Sequence, residues 1–281
     1  QTEVGMTPPG HSEPSADVEP RLRADTVTLA YDGRTVSTDL SVSIPSGRFT
    51  VILGPNACGK TTLLRALARL LNPHGGQVVL DGKDIRRYPT KEVARRLGLL
   101  PQSSFAPFGI SVADLVARGR FPHQRALQQW SQADDVAVTH AMQVTNVTEL
   151  AERSVDELSG GQRQRVWLAM VLAQETPLLL LDEPTTFLDI AHQLEVLELC
   201  RRLNRHDGRT LVLVLHDLNQ AARYADHIIV MRDGAIVAEG APHAVLTPTM
   251  LAEVFGLQAH IMADPITGTP LVIPIGSLSS R

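Results

Sequence analysis

The stretch Gly54-Pro55-Asn56-Ala57-Cys58-Gly59-Lys60-Thr61-Thr62 has the residue types and spacing to cradle phosphate, in the form Gly-x-x-x-x-Gly-Lys-Thr. Its glycines let the backbone fold back so that successive N–H groups point inward at phosphate oxygens. A helix starting at Lys60 adds the positive end of its dipole. Lys60 can reach β- and γ-phosphates as a point charge, and the Thr61 hydroxyl can ligate Mg²⁺. The bare pattern would also suit a glycine turn between strand and helix. Its flanks decide for the phosphate site: the apolar run Phe49–Leu53 precedes it, and Leu63, Leu64, Leu67, Leu70 and Leu71 follow at helical spacing.

Further groups stand where strands should end. Asp182 closes the apolar run Leu178–Leu181, and ligands of parallel sheets bind outside such strand ends. A carboxylate there can hold Mg²⁺ beside Thr61, directly or through water. Glu183 points differently and can aim at the outer face of a nucleotide, as a base or water-orienting group. On their own the two acids would simply cap a strand. Leu158-Ser159-Gly160-Gly161-Gln162 is a second anion-type device, with free N–H groups at a helix start. Alone it reads equally as a helix N-cap. If both devices touch one nucleotide, they can come from different subunits. Tyr31 ends a strand ahead of the loop and can stack on adenine, or be an edge aromatic of the core. Gln102 can ligate Mg²⁺ or water, or cap its strand. His216 can hydrogen-bond a γ-phosphate, or be structural.

Those groups need a sheet to align them. Val27, Leu29, Tyr31 and Leu40, Val42, Ile44 alternate as two antiparallel strands, and Val78–Leu80 closes on the Asp81-Gly82 turn. Leu97–Leu100, Leu178–Leu181, Thr210–Leu215 and His227–Met231 read as buried strands. Residues 190–205 and Asp217–Tyr224 are expected helices, and Asp233-Gly234 turns the chain into Ala235–Ala238. Residues 111–174 read as mostly helical, with Ser111 capping Val112–Val116 and acidic residues opening Asp134–Val144. The sum is an α/β chain: residues 21–101 and 160–240 form an α/β core with an antiparallel β part, and residues 102–159 a helical subdomain. Residues 1–20 read as a disordered tail, and residues 241–281 as a C-terminal extension of unassigned role. No repeat is visible.

A net charge of −4 gives no reason to expect nucleic acid or an anionic membrane surface as partner. No apolar run approaches a membrane span, and no signal peptide is expected. Cys58 and Cys200 suggest a reducing compartment, with neither a metal ligand, so the chain is expected in the cytosol.

In their order and spacing, Tyr31, Gly54–Thr62, Gln102, Leu158–Gln162, Leu178–Pro184, Leu188-Asp189 and His216 resemble the ATP-binding-cassette (ABC) ATPase family, over about Ala24 to Ala259. The resemblance implies a P-loop NTPase (RecA-like) core with an antiparallel β subdomain and a helical insert. It implies ATP and Mg²⁺ as cofactors, and a head-to-tail homodimer with ATP between Lys60 of one subunit and Ser159–Gln162 of the other. Glu183 would be the catalytic carboxylate, His216 the switch histidine, and Asp189 the loop residue linking the two sites. Ala117–Gln124 and Thr186–Gln193 are similar to the ATPases of ferric-siderophore, haem and cobalamin importers. Ala57-Cys58 departs from the family's usual Gly-Ser, as in variants of that group. This resemblance implies an ATPase peripheral to the cytoplasmic face of the membrane. It would energise uptake, with ferric siderophore first and haem, cobalamin or another metal or anion as alternative cargos. Partners would be integral membrane permease subunits and, indirectly, a substrate-binding protein. About Ser103–Arg120 would receive a permease helix. Arg118, Arg120 and Phe121 are candidate contacts, or a solvated helix face. The alternative is a soluble ABC protein acting on ribosomes or DNA. Tandem cassettes, coiled coils and zinc modules, which such relatives carry, are not visible.

Overall fold

The computed structural model describes residues 20–31, 33–102, 104–124 and 130–278; the expected tail lies, but for Pro20, outside them. Alternating apolar residues make β1 (Leu22–Tyr31) and β2 (Arg34–Ile44) an antiparallel pair, with Leu22, Ala24, Val27 and Leu29 buried. The continuous run of β3 (Phe49–Leu53) is buried throughout. The phosphate loop then leads into α1 (Lys60–Leu67). Next come β4 (Gly75–Leu80), the two-residue β5 (Lys83–Asp84), α2 (Thr90–Arg96) and β6 (Leu97–Leu100). The stretch between Gln102 and Ser159 holds α3 (Val112–Ala117) and α4 (Gln132–Val144), with 3₁₀ turns between. A further 3₁₀ turn, Thr148–Leu150, follows α4.

The signature stretch, Leu158–Gln162, opens α5 (Gly160–Ala173), which leads to β7 (Leu178–Asp182). Then follow α6 (Ile190–Arg205), β8 (Thr210–Val214), α7 (Leu218–Tyr224), β9 (His227–Arg232) and β10 (Ala235–Gly240). The chain closes with α8 (Pro242–Val245), α9 (Pro248–Phe255), β11 (Leu257–Ala263) and β12 (Pro270–Ser277).

The central sheet has the order β10-β9-β3-β8-β7-β6, parallel except for β10 at the edge. Its apolar strands are covered on both faces, and alternate residues serve two cores. Leu179, Leu181, Leu211 and Leu213 join the core that contains α3, α5, α6 and α7. Leu178, Leu180, Val212 and Val214 join the core beneath α1 and the antiparallel sheet β2-β1-β4-β5. The last segment, left without elements by the sequence reading, packs into the first core through Val245, Leu246, Leu251, Ala259 and Val272. Asn219 of α7 pins β12, accepting from the Val272 N–H at 2.7 Å and donating to its carbonyl at 3.2 Å. Parallel strand order places the carboxyl ends of β3, β7, β8 and β6 side by side, at one edge of the sheet.

Candidate functional site

At that edge opens a cleft of about 580 Å³, lined by Tyr31, the loop residues Asn56–Thr62, Gln102, Glu183 and His216. The loop's path follows from two glycines. Gly54 has φ 154°, and a Cβ there would lie 2.2 Å from the Met231 carbonyl oxygen and 2.7 Å from Cys58 Sγ. Gly59, at φ 105°, is the N-cap of α1 and brings no side chain to its free N–H groups; the first turn of α1 holds no acidic residue. The helix therefore offers its positive end uncompensated. Ala57 also lies in the left-handed region, at φ 61°, where a Cβ is strained. Lys60 is buried, and its ammonium donates to the carbonyls of Gly54 at 2.9 Å and Pro55 at 2.8 Å, at the mouth of the loop. Burial raises the Cys58 thiol above its ordinary range, although Lys60 opposes this.

Thr61 Oγ1 donates to Asp182 Oδ1 at 3.2 Å, so the two groups expected at a Mg²⁺ ion adjoin. Burial, reinforced by the charge of Glu183, raises the Asp182 carboxyl above its ordinary range against the Thr61 hydrogen bond. Glu183, next along, has φ 51°; this left-handed residue turns its side chain off the strand direction. His216 Nε2 lies 2.6 Å from Glu183 Oε1, and the Thr186 hydroxyl donates to Oε2 at 3.2 Å. Burial pushes the Glu183 carboxyl up, but hydrogen bonds from His216 and Gln102 outweigh it and hold the group below its ordinary range. It is therefore ionised at neutral pH, as a water-orienting base must be.

The cleft thus gathers Tyr31, the loop, Gln102, Glu183 and His216, with Asp182 behind Thr61. Tyr31 stands half exposed at the rim rather than in the core, with the Arg65 guanidinium 5.7 Å from its ring centre. Two expected site elements lie outside the cleft's lining. Ser159 and Gln162 form a reciprocal capping box: Ser159 Oγ accepts from the Gln162 N–H at 3.2 Å, and Gln162 Oε1 from the Ser159 N–H at 3.1 Å. Within one chain the signature is a helix cap, which leaves the Gly160 and Gly161 end of the helix open. Asp189 caps α6 through the His192 N–H at 2.9 Å and is largely exposed.

Arg120 corrects the sequence reading on both of its alternatives. It is buried at 5% exposure, neither a partner contact nor part of a solvated face. Its guanidinium pairs with Asp134 at 2.8 Å and Glu175 at 2.7 Å, and donates to the Ala173 carbonyl at 2.8 Å. The surrounding motif is a clasp: His123 meets the Gln174 carbonyl at 2.8 Å, and Arg95 donates to the Pro122 carbonyl at 2.7 Å. Arg118 and Phe121 are exposed, as the contact reading requires. Phe105 and Phe108, at 92% and 96% exposure, were not singled out from sequence; their signal was apolar bulk in a Pro- and Gly-containing loop. Arg34 and Val36 line the cleft and were also missed. They lie across the hairpin from Tyr31, so only strand register places them there.

Residues 37–186 match the ABC transporter family. The ferric enterobactin transport ATP-binding protein FepC of Escherichia coli (strain K12) is 57% identical over 256 residues, covering 91% of this chain and 94% of its own. Among solved structures, an inward-facing metal-chelate type ABC transporter aligns with TM-score 0.78 and 28% identity, over 92% of this chain and 98% of that one. The dimeric MJ0796 bacterial ABC transporter cassette aligns with TM-score 0.72 and 26% identity, over 79% of this chain and 98% of that one.

Proposed function

This chain belongs to the ABC transporter family and is its ATP-hydrolysing type of subunit, and from that premise we propose that it drives ferric-siderophore uptake as a head-to-tail homodimer on membrane permease subunits. The observation that carries the dimer is the division of the site. Lys60, Thr61, Gln102, Glu183 and His216 share one cleft, while Ser159–Gln162 open a second helix end outside its lining. Two copies facing each other would complete both sites, each cleft receiving the Gly160-Gly161 end of the other copy. The siderophore cargo rests on the likeness to FepC over nearly the full length of both chains.

Thr61 and Asp182 fit a Mg²⁺ ion: a hydroxyl and a buried carboxylate already adjoin, and the carboxylate's burial favours a compensating cation. Among the described residues no group of three or more His, Cys, Asp or Glu could hold a metal. Most of the ion's ligands would then be phosphate and water oxygens, as Mg²⁺ prefers. When bound, the ion neutralises charge on the phosphates. Lys60 and the loop N–H groups orient the β- and γ-phosphates, and Tyr31 offers its ring to the adenine. Glu183 orients the attacking water and takes its proton, and His216 fixes the carboxylate beside the γ-phosphate position. Gln102 lines the same cleft as Glu183 and leads into the exposed loop of Phe105 and Phe108, where a permease helix would dock. Among the described residues no helix is long and apolar enough to cross a membrane; in this reading the pathway belongs to the permease subunits. In this reading the chain is peripheral on the cytoplasmic face, and a substrate-binding protein acts on the permease's far side.

The test is uptake of radio-iron-loaded siderophore by cells lacking this chain and any redundant ATPase. Wild type should restore uptake and Glu183→Gln should not. Undiminished uptake without the chain would discard the siderophore assignment.

A further inference from the structure

The turn that presents Glu183 is held by backbone and side-chain hydrogen bonds. Glu183 leaves β7 in the left-handed region, with its N–H donating to the Val214 carbonyl at 3.2 Å. The Thr186 N–H then donates to the Glu183 carbonyl at 3.2 Å, closing a four-residue turn. Gln164, one turn into the signature helix, donates to the Pro184 carbonyl at 3.3 Å. The turn brings the Thr186 hydroxyl back onto the side chain of the residue that began it, 3.2 Å from Oε2. His216 holds the other oxygen at 2.6 Å.

We propose that Thr186 is a positioning residue for hydrolysis, its hydroxyl fixing the rotation of the Glu183 carboxylate from the side opposite His216. The inference rests on the reading of Glu183 as the water-orienting group. Without Thr186, the one side-chain contact left within hydrogen-bond distance of the carboxylate among the described residues is His216 at Oε1, and the group could still swing about its last torsion, which is broad and soft. A second donor on the other oxygen removes that freedom. The carboxylate plane is then set before the nucleotide arrives, and a small misplacement of such a group lowers the rate far more than it lowers binding. The hydroxyl acts through Glu183, to whose Oε2 it donates.

The experiment is steady-state ATP hydrolysis by purified full-length Thr186→Val, Thr186→Ala and Thr186→Ser, with ATP affinity measured separately by a fluorescent nucleotide. Val and Ala remove the donor, one keeping the branch and one removing it. Both should lose about tenfold in kcat, the loss expected for one hydrogen bond to a charged group. Their ATP affinity should stay within about twofold of wild type, and Ser, which keeps the hydroxyl, should restore kcat to within about twofold. Wild-type kcat in Val or Ala would overturn the proposal, as would a Ser variant as slow as Ala. Glu183→Gln separates the layers: if it turns over normally, the reading of Glu183 has failed. If it is inactive while Thr186→Val is as fast as wild type, only the role of Thr186 has failed.

Discussion

Replacing Arg120 by alanine should unfold the protein at markedly milder conditions while leaving the nucleotide cleft chemically intact. Arg120 and Asp134 are both nearly inaccessible, with side-chain exposures of 5% and 8%. Removing one partner of such a pair leaves an uncompensated buried charge, a change that costs about 3–5 kcal/mol. Glu175 is half exposed, so its share is below about 1 kcal/mol. The Ala173 carbonyl at the end of α5 loses its donor as well. A total near ~4 kcal/mol would lower the melting temperature of a chain this size by roughly 10 °C. The pH dependence gives a second reading. Burial pushes the Asp134 carboxyl up, but hydrogen bonds from Arg120 and Ser131 outweigh it and hold it below its ordinary range. Its contribution is therefore present above the unfolded carboxyl pKa and is lost as pH falls through the folded one. In Arg120→Ala the burial remains and the main opposing partner is gone, so Asp134 binds a proton more readily. The stability gap between variant and wild type should shrink as pH falls from 7 toward ~4. Urea titrations at several pH values measure this. Arg120→Met with Asp134→Asn should recover part of the loss, because it removes the buried charge. A single variant within ~0.5 kcal/mol of wild type at pH 7 would refute the clasp and return Arg120 to the surface.

Other expectations are more local. Ala57→Gly should bind ATP within about twofold of wild type, because glycine accepts φ 61° freely. Ala57→Val should lose about tenfold in affinity, since a β-branched residue resists that conformation; nucleotide titration distinguishes the two. Phe105→Asp and Phe108→Asp change fully exposed side chains and should leave the isolated chain's stability unchanged within ~0.5 kcal/mol. The same variants should abolish co-purification with the permease, and intact co-purification would count against docking on that loop.

Motifs whose geometry is local were readable from sequence. The phosphate loop is one, because strand, glycines and helix start are contiguous; the strand-end positions of Asp182, Glu183, Gln102 and His216 follow from apolar runs that stop beside them. Arg120 was not readable, because its role is set by Asp134 and Glu175, which approach it only after α4 and α5 pack together. Arg34 and Val36 needed the register of β1 and β2, and a one-residue slip would have turned them away. The C-terminal elements did carry signals. Thr247 accepts from the Met250 N–H, Pro248 opens α9 and Gly256 ends it at φ 61°, a start and stop visible in the letters. In β11 and β12, mostly exposed strands, the second interrupted by Pro274, gave a weaker alternation.

The central claim is that ATP is held between two copies of this chain. Sedimentation velocity of Glu183→Gln with ATP and Mg²⁺ tests it most directly, since that variant should bind ATP and hydrolyse it at least about a hundredfold more slowly. The account predicts a dimer with ATP and Mg²⁺, reverting to monomer with ADP. A Glu183→Gln variant that remains monomeric at saturating ATP would contradict it.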